Sequence, residues 1–416
     1  MQNAAPWSRI APALVGLGLL YLATQFARTA LGIISAEIEE SFALHSTQTA
    51  LLTGTMFLTY GLGQIPAAPL LTRFGPRTVL PLAGALLAAS FWGLAKAENF
   101  TTLLIARQAM GLGAAPVLAG SFAMFAGFGE ARFTTLTGLQ VAFGRAGVIV
   151  ATTPLALLIA AVGWRDSFVW AAIATTGAAL AATAVLISLP PPEKPAGAPK
   201  GFAPMRMLIA SRDFRLAATF QGVSTAVGGT ILGLWGGPWL SNVYGMDVRE
   251  RGAMLLALAV SGFVSAPLWG YLASYATIRQ MVLAAAGGSV LLLVVPAFVH
   301  LPPALIMPWL VLIGLLTGFY PAVLDELHRG LPPGTIVYLS TLLSAGTMLV
   351  VFLVQFATGV LADMLPGRPG HHPEVAYVAI YLLMAVMLAV TTLCYSRTTL
   401  PPRPAPKIGK DTAPGG

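Results

Sequence analysis

The sequence predicts an all-α membrane protein of twelve transmembrane helices arranged as two six-helix repeats. Three observations carry that expectation. Hydrophobic residues make up 56% of the 416 residues and charged residues only 9%, against about 25% charged in a soluble domain. The apolar residues fall into twelve stretches of spanning length, since a helix needs about 20 residues to cross a hydrocarbon core of about 30 Å. The stretches also form two equivalent sets. The first begins near residue 11 and the seventh near 214, and the loops at 68–73 and 270–275 stand at nearly the same offset. Parallel repeats of this kind bring a shared interface to the bilayer midplane, where a solute site would lie.

Taken in order, the expected spans are 11–34, 49–71, 78–95, 101–126, 135–162, 167–189, 214–243, 252–274, 280–299, 304–327, 335–362 and 374–396. Glycine, proline and charge punctuate them, as in RFGPR at 73–77, GWRD at 163–166 and PGRPGHHP at 366–373. The boundary around 296–308 is blurred by Pro296, Pro302, Pro303 and Pro308. The expected domains are a six-helix bundle over 1–189, a linker over 190–213, a second bundle over 214–397 and a disordered tail over 398–416. The first half of the linker is proline-rich and extended in expectation, and its second half reads as a short amphipathic helix at the interface. The first span is read as retained rather than cleaved, because no small-residue cleavage site closes it.

The excess of basic residues, a net charge of +8, does not call for nucleic acid. With the N-terminus inside, fourteen basic residues fall on cytoplasmic segments and five on outer loops. Positive charge prefers the cytoplasmic side, so a multi-pass inner-membrane protein with both termini in the cytoplasm is expected. The single cysteine, Cys394, excludes an intramolecular disulfide and reads as packing. His371 and His372 are adjacent but lack further ligands, so no metal site is assigned. No phosphate-cradling loop or catalytic constellation appears, so neither an enzyme, a cofactor nor direct ATP coupling is expected.

Three arginines, Arg28, Arg107 and Arg145, fall inside the spans, whereas the acidic residues fall in loops, tails or helix ends. Buried positive charge is costly unless an anion or water offsets it, and arginine binds carboxylate or phosphate through two parallel hydrogen bonds. An anionic small-molecule substrate is therefore inferred. By helix rise, Arg28 and Arg107 sit at one depth, about 9 Å below the same boundary, where they could grip one anion together. Equally, Arg28 could snorkel, Arg107 could be held by helix carbonyls and Arg145 could fill a helix groove. Further cavity candidates are Tyr60, Gln64, Gln221, Ser224, Thr225, Trp235, Trp239, Tyr320 and Gln355, each with a packing role as the alternative. The pairs Gly229/Gly233 and Gly314/Gly318 have the spacing of close helix packing.

The chain resembles the major facilitator superfamily of secondary transporters over about residues 10–397. Leu70, Arg73, Gly75 and Arg77 match its second-to-third loop signature, with Ala68 and Thr72 in place of its glycine and aspartate. The run Leu104-Ile105-Ala106-Arg107-Gln108-Ala109-Met110-Gly111-Leu112-Gly113 matches its fourth-helix signature, and Gly163-Trp164-Arg165 with Phe168 is common after its fifth helix. The resemblance implies a twelve-helix transporter working by alternating access, as a monomer. It implies a gate at Thr72, Arg73, Gly75, Arg77 and the repeat position Ser274, loosened because neither Thr72 nor Ser274 is the family's aspartate. Organic-anion branches use a first-helix arginine as a substrate contact, which points to Arg28. Proton- or sodium-coupled uptake is the expected mode, with Asp325 and Glu326 as coupling candidates. Gly144-Arg145-Ala146-Gly147 lacks the proline of drug antiporters. The rival readings are an exporter of a metabolite, siderophore or drug, and a non-transporting sensor or scaffold.

Overall fold

The computed structural model describes residues 7–128, 130–189, 203–272, 277–318, 323–324, 326–327, 336–365, 367–368 and 370–399. Its elements are α1 (Trp7–Thr29), α2 (Leu31–Ser41), α3 (Ser46–Phe74), α4 (Pro76–Ala95), α5 (Phe100–Ala114), α6 (Val117–Ala126), α7 (Glu130–Val150) and α8 (Thr153–Ser188). They continue with α9 (Ala203–Ala210), α10 (Arg212–Thr230), a π-turn (Ile231–Trp235), α11 (Gly236–Tyr244), α12 (Val248–Leu272), α13 (Ile278–Phe298), α14 (Pro303–Thr317), α15 (Ile336–Asp363) and α16 (Glu374–Ser396). Seven helical segments among the described residues are long and apolar enough to cross a membrane on their own. The chain is an all-α, multi-pass membrane protein.

Helix covers the described part of every expected span, but several spans are interrupted. The first divides into α1 and α2 and carries a non-helical Ile34 (φ −115°, ψ 15°). The fourth breaks at Ala115-Pro116, where proline removes a backbone donor. The fifth breaks at Ala151-Thr152, and its second piece runs into the sixth as α8, which Gly163 divides at φ 81°. That conformation suits glycine, so the expected turn at 163–166 is real. The seventh contains the π-turn, a feature common at functional sites. The amphipathic helix expected in the linker is α9; residues 190–202 and 400–416 lie outside the described residues.

Two groups of helices pack internally. In the first, α1 lies on α7 and α8, α4 on α8 and α5, and α3 on α5; in the second, α12 lies on α14, α10 on α15 and α16, and α13 on α16. The groups meet chiefly where α3 lies along α15, where α8 meets α12, and where α2 meets the π-turn and α11. The bundle has two faces. The proximal face carries Trp7, the Phe74–Pro76 turn and α9; the distal face carries the turns at 42–45, 96–99, 245–247 and 299–302 and residues 364–365, 367–368 and 370–373.

Hydrogen bonds between described residues that join the two groups lie at mid-depth or toward the distal face. Ser35 Oγ donates to the Leu234 carbonyl at 2.7 Å, Arg251 Nη1 to the Ile33 carbonyl at 3.1 Å, and Arg251 Nη2 to the Glu37 carboxylate. Asp363 accepts the backbone N–H groups of Ser46 and Thr47 at 2.7 and 2.8 Å, capping α3 from the other group. The distal side is closed.

Candidate functional site

Arg28 stands in the last turn of α1, half-buried at the boundary between the groups. Its Nη1 donates to Gln25 Oε1 at 2.8 Å, and its Nη2 lies 3.6 Å from Met348 Sδ on α15. Its guanidinium faces the rings of Phe57 and Tyr60, 5.4 and 5.7 Å from their centroids. Gln25 in turn donates to the Tyr21 hydroxyl at 2.6 Å, and Gln64 stands one turn on from Tyr60. Arg145 on α7 donates weakly to the Gly262 carbonyl of α12 at 3.5 Å and lies within electrostatic range of Arg28 and Tyr21. Gly144 makes this possible: a Cβ there would lie 2.3 Å from the Tyr21 ring, so only glycine lets α7 close on α1.

Two guanidinium groups thus stand within electrostatic range of each other, each hydrogen-bonded to neutral groups. Among the described residues neither is paired with a carboxylate. Neutral partners and ring faces hold the donors in place without cancelling the charge. On the opposite wall, Gln355 of α15 lies one heptad from Met348, is fully buried, and has no partner for either amide atom. Gly54 leaves room for it, since a Cβ there would meet its Oε1 at 3.4 Å. Gln221 donates to Thr225 at 2.9 Å but leaves its Oε1 unpaired, and Ser224 Oγ and Thr347 Oγ1 are likewise buried without a partner. Buried polar atoms normally find partners, so each of these atoms, on two residues of α10 and two of α15, has capacity for a water or a bound solute.

Other expected site residues lie elsewhere. Arg107 is 1% exposed, and its guanidinium is spent on backbone. Its Nε, Nη1 and Nη2 donate to the carbonyls of Leu52, Ala27 and Thr53 at 3.3, 2.7 and 3.3 Å. The guanidinium ties α5 to α1 and α3, so the expected shared grip of Arg28 and Arg107 on one anion is corrected. Trp235 is fully buried, spends its indole N–H on Thr358 Oγ1 at 2.9 Å, and packs edge-on against His372 and Tyr377. It lies in the distal closure, not on the cavity wall. Trp239 is similarly locked against Tyr244, Trp309 and Tyr381. Gly314 and Gly318 let α14 approach Ser261 and Ser265, whereas Gly229 faces open space and packs nothing.

At the proximal face Thr72 donates to the Pro69 carbonyl at 3.0 Å, Arg73 lies over the Phe74 ring, and Gly75 turns the chain at φ 77°. Arg77 is half-buried with an unpaired Nε. Glu326 is 6% exposed and accepts the Tyr395 hydroxyl, so the acids are not confined to wet helix ends. Glu39 is another exception, at 1% exposure. Ser274, Tyr320 and Asp325 lie outside the described residues. Sequence reasoning missed Tyr21 and Gln25, although both stand on the Arg28 face of a helix, seven and three residues back.

A family model described as Major Facilitator Superfamily matches residues 17–337. The chain is 32% identical over 148 residues to an Escherichia coli K12 protein named "Probable L-galactonate transporter", covering 34% of this chain and 32% of that one. It is 24% identical over 159 residues to the Cupriavidus necator "Probable sulfoacetate transporter SauU", covering 36% and 35%. The matched regions thus span about a third of each relative. Among solved structures, a bacterial homologue of the human lysosomal transporter Spinster, inward-facing and occupied, superposes with a TM-score of 0.72 at 18% identity, over 94% of this chain and 97% of that one. The nucleoside transporter NupG superposes with a TM-score of 0.76 at 11% identity, over 92% and 98%. Those two likenesses concern the fold alone; with a family model spanning most of its length, the chain belongs to the major facilitator superfamily.

Proposed function

We propose that this protein is a secondary active transporter that carries a small organic anion across the inner membrane by alternating access, as proton- or sodium-coupled uptake. The reading is carried by Arg28, half-buried between the two helix groups and within electrostatic range of Arg145, with neither in an ion pair to a carboxylate among the described residues. A substrate carboxylate or sulfonate relieves their mutual repulsion and takes two parallel bonds from Arg28. The unpaired atoms of Gln355, Gln221, Ser224 and Thr347 then serve the polar remainder of the solute. The printed names of both relatives, which refer to organic acids, support this class. In this reading the bundles over 1–189 and 214–397 move as two bodies, the proximal face is cytoplasmic, and the closed distal side makes the state inward-facing. The Thr72–Arg77 turn belongs to the cytoplasmic gate, and Glu326 is the coupling candidate among the described residues.

The test is initial-rate uptake into proteoliposomes, using anions first selected by their thermal stabilisation of the purified protein. Arg28→Lys keeps the charge but loses the planar fork, and is expected to lower uptake about tenfold, or about 1.4 kcal/mol. Normal uptake by a stable Arg28→Ala variant would remove this residue from the substrate site.

A further inference from the structure

The side-chain hydrogen bonds that lead away from Arg28 along α1 run in one direction. Tyr21, Gln25 and Arg28 share one face of the helix. An arginine donates and never accepts, so the Gln25 atom that meets Arg28 Nη1 at 2.8 Å is the amide oxygen. The amide nitrogen is then turned to Tyr21, where it donates to the hydroxyl oxygen at 2.6 Å. The Tyr21 hydroxyl is thereby used as an acceptor, and its own proton remains to be placed. Among the described residues no acceptor takes it. Nearby Thr24 spends its hydroxyl on the Tyr21 backbone carbonyl at 2.7 Å. Tyr21 is 7% exposed, and a buried hydroxyl that donates to nothing forfeits a hydrogen bond.

The unplaced proton belongs to the same neighbourhood as the two arginines. The Tyr21 ring packs where Gly144 has no side chain, and Arg145 is the next residue of α7. Tyr21, Arg28 and Arg145 lie within electrostatic range of one another. Neither arginine is fully used. The Nη2 of Arg28 meets only the Met348 thioether at 3.6 Å, and Arg145 reaches the Gly262 carbonyl at 3.5 Å. A thioether is a weak acceptor, and 3.5 Å is long for a hydrogen bond. Both arginines are half-buried, so solvent reaches them. Three donors thus stand near one another with only weak acceptors to satisfy them. A carboxylate or sulfonate is their complement, since it carries acceptors only.

We propose that Tyr21 is a further substrate-binding residue, whose O–H donates to the same oxyanion that Arg28 and Arg145 hold. Gln25 then has two tasks. It holds Arg28 without cancelling its charge, and it occupies the Tyr21 oxygen as an acceptor, which leaves the tyrosine proton for the solute. The assignment rests on the anion-transport reading and adds to it a neutral donor that counting charges does not reveal.

The experiment measures dissociation constants by calorimetry on the purified full chain in lipid nanodiscs. The probes are acetate, glycolate, gluconate, succinate and 2-hydroxyethanesulfonate. Tyr21→Phe keeps the ring against Gly144 and removes only the hydroxyl. It is expected to raise the dissociation constant of the tightest-binding probe about tenfold, with the thermal midpoint of the unliganded protein unchanged. Gln25→Met cuts the link between Tyr21 and Arg28. The tenfold difference between tyrosine and phenylalanine should persist in that background, because the hydroxyl acts on the anion directly. A Tyr21→Phe variant that binds as tightly as the parent overturns the assignment and leaves the anion reading standing. A difference that vanishes in the Gln25→Met background also overturns it, since Tyr21 would then only position Arg28. So does a Tyr21→Phe chain that no longer folds, since the hydroxyl would then serve the fold. A parent chain that binds none of the probes overturns the anion reading, and this assignment with it.

Discussion

Arg28 and Arg107 show how much the direction in which a helical side chain faces decides. One arginine faces Phe57, Tyr60 and Met348, and the other is spent on three backbone carbonyls. Hydrogen bonds to a charged donor contribute about 1.5–3 kcal/mol each. Arg107→Lys keeps the charge but cannot span all three carbonyls, so it is expected to lose stability rather than affinity. The thermal midpoint should fall by several degrees, while the half-saturating anion concentration of the surviving folded protein moves less than about threefold. A large loss of affinity at unchanged thermal stability would return Arg107 to the substrate site. That both lie inside helical spans was legible in the sequence, because hydropathy marks the spans. The facing direction was not, because it depends on which neighbour supplies the acceptors.

At the scale of elements, the positions of the spans were legible because hydropathy and glycine or proline punctuation are local properties. The interruptions were not, because they answer to a partner helix. The clearest case is the crossing of α2 over the π-turn and α11. A Cβ on Gly32 would lie 2.0 Å from the Leu232 carbonyl oxygen, and one on Gly237 would lie 2.2 Å from the Gly32 carbonyl oxygen. Two backbones therefore touch where the first and seventh spans are irregular, and Ser35 locks the crossing onto Leu234. Nothing in the first span alone foretells this, since Gly32 reads there as one more small residue. Gly32→Ala cannot be accommodated by a side-chain shift, because the obstacle is backbone. It is expected to push the distal gate open. The measurement is labelling of Ile34→Cys, a buried neighbour that leaves the Ser35 bond in place, in the Cys394→Ser background, by a membrane-impermeant maleimide from the distal side. Labelling should rise several-fold in the Gly32→Ala variant and stay low with glycine. A folded alanine variant with a cysteine as protected as in the parent would show that the crossing does not hold the gate.

For the whole molecule, the two-set pattern of spans was legible from their spacing, and the family fold followed from short loop and helix signatures. The state of the molecule was not legible, because it resides in contacts between residues hundreds of positions apart. Asp363 capping α3 and Arg251 binding both Ile33 and Glu37 are such contacts. They place the closure on the distal face, opposite the face that carries α9 and the basic turn Arg73–Arg77. Which face meets the cytoplasm then fixes the direction in which the cavity opens. The basic residues concentrate on the proximal segments, and translocation disfavours lysine and arginine in short loops near span ends. Alkaline phosphatase, which folds only in the periplasm, should therefore be inactive when fused after residue 200, whereas a fluorescent protein fused there should shine. Fusions after Asp247, at the distal end between α11 and α12, should behave in the opposite way. Active phosphatase after residue 200 would invert the molecule, and the closed side would then face the cytoplasm.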